Sequence, residues 1–181
     1  MKEKELKLDK QSNYSICVNQ VGIITKVSSE FANLLGYTTE ELINERHNIV
    51  WHPDMPKIIF KLMWEKLHNG EKFIGFIKHQ SKSGDYCWLS NKAYLYSNEP
   101  NGTRKYFSYK GLIPMRAKYH IDHLYSSLLK EEETGGIEAS EKYLNEYLNF
   151  RGVTYDEYIE TFDDTVGVFK VGYFMTRKLF S

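Results

Sequence analysis

Histidine and carboxylate side chains are concentrated in one irregular segment of the chain, residues 46–56. His47, His52 and Asp54 are residue types that bind several divalent ions, but their spacing matches no strong metal-binding motif. Asp54 lies just before Pro56, where a helix is predicted to begin, and aspartate is typical of a helix N-cap. The residues therefore favour the capping role for Asp54 and leave a ligand-binding role for this segment open.

Two polar residues interrupt apolar faces of predicted strands. Asn91 is the polar member of an otherwise apolar row between Cys87 and Leu95. A buried amide needs hydrogen-bond partners, which the backbone, water or a bound ring with an imide-like edge would supply. His79 ends the apolar face of the preceding strand, where it lies at the rim, contacts a ligand or coordinates a metal. Both residues are candidates for lining a pocket.

Motifs for catalysis are absent from the sequence: it has no Gly-x-Ser-x-Gly, no P-loop and no His-Glu-x-x-His. His120 and His123 stand one helical turn apart, but two ligands do not make a metal site. The sequence therefore predicts no catalytic residue and no metal site. The enzyme hypothesis that remains would use His52 and Asp54 as acid and base.

The composition narrows the class of protein. The 181 residues are enough for one domain of ordinary size with an appendage. Lys plus Arg equals Asp plus Glu at 24 each, so no overall basic field would hold nucleic acid. The 2 cysteines suggest neither a disulfide framework nor a zinc site. Apolar stretches fall short of the roughly 18 to 20 residues of a spanning helix. We therefore expect a cytoplasmic protein that has neither nucleic acid as a partner nor an integral membrane segment.

Hydrophobic periodicity predicts the elements that position these residues. Ser28 is placed to cap a first short helix, and Thr38 with Glu41 has the spacing of a capping box that opens a second. The predicted elements are strands over 14–18 and 23–27, the two short helices, an amphipathic helix from Pro56 to Gly70, and strands over 73–80, 86–96 and 105–113. Strands and helices in this order indicate an α+β fold.

The last third of the sequence has a helical pattern. Helices are predicted over 117–130, 138–150 and 154–162, with a break at 131–136. Residues 166–181 carry apolar and aromatic side chains that need a partner surface, inside the protein or outside it.

Three stretches of the chain resemble a PAS domain: Gly22-Ile-Ile, Ser29 to Ile43, and Lys82 to Trp88. Within that family, residues 47–56 followed by Met63-Trp64 and Gly70 resemble the sensor domain of bacterial aerotaxis receptors. The resemblance covers residues 13–115. It implies a PAS fold with a five-stranded antiparallel sheet and short helices on one face. Residues 1–12 would then be an N-terminal arm or cap, and residues 116–181 a helical C-terminal extension.

The resemblance also implies a cofactor, because aerotaxis receptors hold FAD between the helices and the sheet. Carried over by position, Asn48, His52, Asp54 and Trp64 are the expected cofactor contacts. Asn91, whose row would face the same pocket, is a further candidate.

Three residues at or near the expected flavin depart from the family pattern. Trp51 stands where aerotaxis sensors usually carry Arg, Phe73 where they carry Trp, and His79 where they carry Asn. Losing the Arg removes a bidentate partner for phosphate or carboxylate that a Trp cannot replace. These three positions are still expected to contact the cofactor.

The function that the resemblance implies is that of a bacterial sensor that signals redox state or oxygen, as in aerotaxis and chemotaxis. Its signal would leave through contacts with a signalling protein or within a homodimer. An alternative is a PAS module with haem bound through His79, another small ligand or none, which acts as a dimerising scaffold.

Overall fold

The computed structural model describes residues 3–162, so the predicted apolar segment 166–181 lies outside the described residues. The strands are β1 Tyr14–Asn19, β2 Ile24–Val27, β3 Phe73–Gln80, β4 Tyr86–Asn98 and β5 Arg104–Leu112. The helices are α1 Ser29–Leu34, α2 Thr39–Leu42, α3 Lys57–His68, α4 Met115–Arg151 and α5 Tyr155–Glu160, with a 3₁₀ helix at His47–Val50. The predicted strands are thus confirmed.

The five strands form one antiparallel sheet in the order β2-β1-β5-β4-β3. The first strand therefore pairs with the last, which brings distant parts of the chain together at the centre of the sheet. The helices α1 and α3 pack on one face, which we call the inner face. This arrangement confirms the predicted α+β PAS architecture.

Local sequence signals set the two short helices. The Ser28 side chain accepts a hydrogen bond from the Phe31 amide and so caps α1. Thr38 and Glu41 form the predicted capping box of α2, in which each side chain bonds the other residue's amide. These caps hold α1 and α2 against β1 and β2.

The cap of α3 differs from the prediction for Asp54. Its N-terminus is capped from a distance of 74 residues by Glu132 of α4, whose Oε1 accepts the Ile58 amide at 2.9 Å. Asp54 instead bonds Lys78 at 2.7 Å, so its predicted capping role is wrong. Pro56 removes one donor at this helix start, and a carboxylate from another element satisfies one that remains.

The C-terminal helices pack on the rest of the fold. The helix α4 spans the predicted break and is interrupted at Gly136 alone, where φ is 73° and ψ is −167°. Leu128, Leu144 and Tyr155 belong to the same hydrophobic core cluster as the sheet. The domain boundaries near residues 12 and 115 stay predictions, although this packing shows extensive contact across the second.

The N-terminal arm lies along the start of β4. The Leu6 amide donates to the Tyr86 carbonyl at 2.7 Å, and the Tyr86 amide donates to the Lys4 carbonyl at 3.0 Å. These bonds satisfy backbone groups of β4 beyond the point where its pairing with β5 ends.

Candidate functional site

A cluster of polar side chains is buried between the inner face of the sheet and the helices. We call it the inner cluster; it consists of His47 after α2, His79 of β3, Asn91 of β4, and Ser108 and Lys110 of β5. The register places these strands side by side, with Asn91 directly opposite Lys110. Each of the five side chains is less than 9 % exposed, with Lys110 at 1 %. Buried polar groups of this number are unusual in an apolar core.

The centre of the inner cluster is the Asn91 carbonyl oxygen. It accepts hydrogen bonds from the Lys110 ammonium at 2.9 Å and from the Ser108 hydroxyl. Asn91 thus has side-chain partners rather than the backbone or water partners that the sequence also allowed. Tyr94, three residues further on, points to the opposite face and is 45 % exposed. The strand period predicted from the sequence is therefore confirmed.

Lys110 is buried without an opposing charge. Its ammonium bonds neutral oxygens of Asn91 and Ser108 and lies 5.2 Å from the centre of the Phe31 ring. No ion pair within residues 3–162 includes it. Burial lowers the pKa of Lys110 from its usual value to about 7.

The two histidines of the inner cluster are held neutral. Burial, with the Lys110 charge nearby, lowers the pKa of His47 to about 3 and that of His79 well below its usual value. His79 Nδ1 lies 3.1 Å from the Val50 carbonyl, which can only accept, so Nδ1 carries the proton. Its Nε2 is then a bare acceptor.

Several buried polar atoms around the inner cluster have no hydrogen-bond partner within the described residues. They are both ring nitrogens of His47, Nε2 of His79, Nε1 of Trp51 and the hydroxyl of Tyr106. Because each such atom costs free energy of about 1–3 kcal/mol when it stays unpaired, this concentration indicates a missing partner.

A cleft leads from the surface to His47. It has a volume of about 220 Å³ and is lined by residues that include Gly22, Asn48, Trp51 and Trp64. The Trp51 ring stacks on Phe60 of α3 at 3.5 Å between centroids. The Trp64 ring packs edge-on to Tyr106, at 5.8 Å between centroids. Of the sequence-predicted contacts, Asn48, Trp51 and Trp64 thus line this entrance, while His79 and Asn91 lie in the inner cluster.

Two predicted contacts, His52 and Asp54, lie elsewhere. Asp54 bonds Lys78, whose ammonium lies over the Tyr86 ring at 4.5 Å, and His52 packs edge-on to that ring. Lys78 and Tyr86 alternate with His79 and Cys87, so they lie on the face opposite the inner cluster. The structure therefore does not bring His52 and Asp54 together with the other candidates.

Glu3, His52 and Asp54 form the group of potential metal ligands found within residues 3–162. His52 Nδ1 accepts the Asp54 amide, and Nε2 lies 3.1 Å from Glu3. Both ring nitrogens are thus used, and the Lys78 ammonium already neutralises the Asp54 carboxylate, whose pKa is lowered. This arrangement is an ion-pair network that fixes the N-terminal arm.

Phe73 is fully buried but lies at the far end of β3 from His79. Its ring stacks on Tyr155 of α5 at 6.0 Å. The nearby Gly75 leaves room for this contact, because a Cβ there would lie 2.8 Å from the Tyr155 hydroxyl. Phe73 thus contributes to the surface on which α5 packs rather than to the inner cluster.

Lys110, Ser108 and Tyr106 are site residues that the sequence reasoning missed. They alternate along β5, so the same period of two that selected Asn91 places all three on the inner face. The lysine was missed because lysine is usually exposed in strands.

Residues 24–108 match the family model described as the PAS fold. Together with the five-stranded sheet and its short helices, this match shows that the region has a PAS fold. Within the described residues no helix is long and apolar enough to cross a bilayer.

Among known proteins, the chain is similar to the aerotaxis receptor of Escherichia coli strain K12, with 43 % identity over 70 residues. That stretch is 39 % of this chain and 14 % of the receptor, so the likeness concerns a small part of the longer protein. A solved structure titled as a flavin-analogue study of a light-oxygen-voltage domain has a TM-score of 0.52 and 17 % identity. It covers 65 % of this chain and 89 % of that one, and it supports the fold.

Proposed function

We propose that this chain is a sensor module that binds a flavin between α3 and the inner face of the sheet and signals redox state or oxygen. The observation that carries the proposal is the inner cluster with its unpartnered polar atoms, set behind an entrance formed by two tryptophans. The similarity to an aerotaxis receptor over the PAS region supports the same function.

The residues present fit the ring of a flavin. Its imide edge offers two carbonyl acceptors and one N–H donor, and the inner cluster offers N–H donors on Lys110 and a bare acceptor on His79. The indole rings of Trp51 and Trp64 provide apolar surface for the body of the ring. When bound, a flavin would supply a reversible change of charge and protonation on reduction.

The entrance is small for a whole dinucleotide. Its volume of about 220 Å³ lies below the range of about 300–1,000 Å³ typical of ligand pockets. Binding of the whole FAD molecule would therefore require Trp51 or Trp64 to change rotamer. Binding of the flavin ring edge requires only that it pass His47. The departure from Arg at Trp51 agrees with a weaker hold on phosphate groups.

A signal from the pocket has a direct route to the C-terminal helices. The helix α3 contributes Trp64 to the entrance and packs its Phe60 on Trp51, and Glu132 of α4 caps its N-terminus. On its outward side Lys61 bonds Glu141 of α4 at 2.6 Å. Movement of α3 on ligand binding or reduction would therefore shift α4, which can present the change to a signalling protein or a second copy.

Haem bound through His79 is a second candidate because of one observation. A histidine whose Nδ1–H donates to a backbone carbonyl and whose Nε2 is free is oriented as metal-ligating histidines are. The Lys110 ammonium close to this ring argues against an added cation there, which is why we favour flavin.

The proposal is tested by titrating the purified chain, stripped of any bound ligand, with riboflavin, FMN and FAD and following flavin fluorescence. We expect all three to bind through the shared ring. Asn91→Leu should weaken each at least tenfold because it removes the centre of the polar cluster, whereas Tyr94→Leu, on the opposite face, should not. Failure of all three flavins to bind would rule out the proposed function.

A further inference from the structure

Lys110 has an unusual environment for a lysine. It is 1 % exposed, yet the groups that face it are neutral: Asn91 and Cys87 of β4, the two histidines, and the Phe31 ring of α1. A buried ammonium is costly unless an opposing charge compensates it. The described residues provide hydrogen-bond acceptors but not that charge.

We propose that Lys110 binds a negative charge on the ligand, so that the pocket selects the anionic form of a ring with an imide-like edge over its neutral form. The proposal rests on the proposed ligand-binding function of the same site and names the chemistry that the site recognises. It also explains why a lysine, and not a neutral donor, stands opposite Asn91.

The position of Lys110 supports this assignment. Two of its ammonium protons bond Asn91 and Ser108 at 2.9 and 3.4 Å, which leaves a third donor for a ligand. His47 lines the cleft, and its unpartnered ring belongs to the same buried cluster as Lys110. A ring edge that reaches the lysine from the cleft would have to enter past His47.

For a flavin the consequence concerns its reduced form. Two electrons from dithionite and one proton from water convert the neutral oxidised ring into a reduced ring with one negative charge. Lys110 would stabilise the charged ring more than the neutral one. Because its pKa in the free chain is about 7, it is about half protonated at pH 7 and would take up roughly half a proton when the charge appears. Reduction at neutral pH would then be coupled to extra proton uptake.

The first experiment compares the wild-type chain with Lys110→Met and Lys110→Arg, each loaded with riboflavin. In Lys110→Met the preference for reduced over oxidised riboflavin should fall at least tenfold, which makes the two-electron potential about 30 mV more negative. Lys110→Arg, which keeps the charge, should retain most of the preference. An unchanged potential in Lys110→Met would overturn the inference while leaving flavin binding intact.

The second experiment does not depend on flavin. Urate and theobromine share an imide edge, but at pH 7 urate is an anion and theobromine is neutral. Thermal-shift titrations should show a preference for urate in the wild-type chain and none in Lys110→Met. If the wild-type chain prefers urate but binds no flavin, the proposed function is refuted and the inference about Lys110 stands. Equal stabilisation by both compounds, or by neither, would overturn the inference.

Folding of the variant is not expected to limit these tests. Because Lys110→Met replaces a buried charge by an apolar side chain of similar length, the ligand-free variant should be at least as stable as the wild type at pH 7. A circular dichroism melt of each variant checks this before ligand is added.

Discussion

The contact between Glu132 and the Ile58 amide predicts that α4 stabilises the helix that borders the pocket. Glu132→Gln keeps the size of the side chain but removes the charge that caps α3 and interacts with its helix dipole. Gln keeps a neutral oxygen that can still accept the Ile58 amide, so the loss is that of the charge, about 0.3–1 kcal/mol and up to about 2 kcal/mol at a partly buried helix end.

This loss of free energy translates into a measurable shift. For a chain of this size, about 2–4 °C of melting temperature corresponds to 1 kcal/mol, so we expect the melting temperature to fall by roughly 1 to 8 °C. Hydrogen exchange offers a local readout, because the Ile58 amide should lose protection first. The Ser140 hydroxyl also donates to Glu132 Oε1, at 3.1 Å, but it has a second acceptor in the Ile137 carbonyl and is not left unpaired by the substitution.

Glu133→Gln is the matched control, since Glu133 is the next residue of the same helix, is exposed, and has no hydrogen bond or ion pair among residues 3–162. This substitution should change the free energy of unfolding by less than about 0.5 kcal/mol, so the melting temperature should hardly move. Equal effects of the two substitutions, or an Ile58 amide with unchanged protection in Glu132→Gln, would refute the reasoning.

Three further predictions concern the rest of the fold. A chain ending at Lys130 should melt at a lower temperature than one ending at Phe162. It lacks α5 and the part of α4 after residue 130, both of which contribute side chains to the core. Equal melting temperatures in a calorimeter would contradict this and support a boundary near residue 115. Gly75→Ala should cost about 1–3 kcal/mol in a urea melt, since its methyl would lie 2.6 Å from an aromatic ring of its own strand; an unchanged midpoint would show that this contact relaxes freely. Stability should fall as pH drops from about 6.5 to 5, because the unfolded chain protonates His47 and His79 while the folded chain, with lowered pKa values, does not. By pH 5, protonation of His47 in the unfolded chain should lower the free energy of unfolding by about 1–2 kcal/mol, and melts of His47→Phe should show a weaker dependence on pH.

The sequence predicted the local parts of this fold well. Caps such as Ser28 and Thr38 act within three residues, and period-two rows such as that of Asn91 depend on the strand alone. These signals are local, so a single sequence contains them in full.

The long-range contacts could not be read in the same way. Asp54 has the right type and place for a cap of α3, yet Glu132 from 74 residues away takes that role and Asp54 pairs with Lys78. The burial of Lys110 likewise cannot be predicted from its residue type, because lysine is usually exposed. It is buried because β5 lies in the centre of the sheet, a fact that depends on strand order and not on the strand's own sequence.

The central claim, that the pocket holds a flavin, is tested most directly by the absorbance spectrum of the freshly purified chain before and after anaerobic reduction with dithionite. We predict the two visible bands of oxidised flavin, which bleach on reduction and return in air. A Soret band would instead assign the site to haem through His79. A colourless chain that also remains colourless after incubation with riboflavin and desalting would contradict the claim.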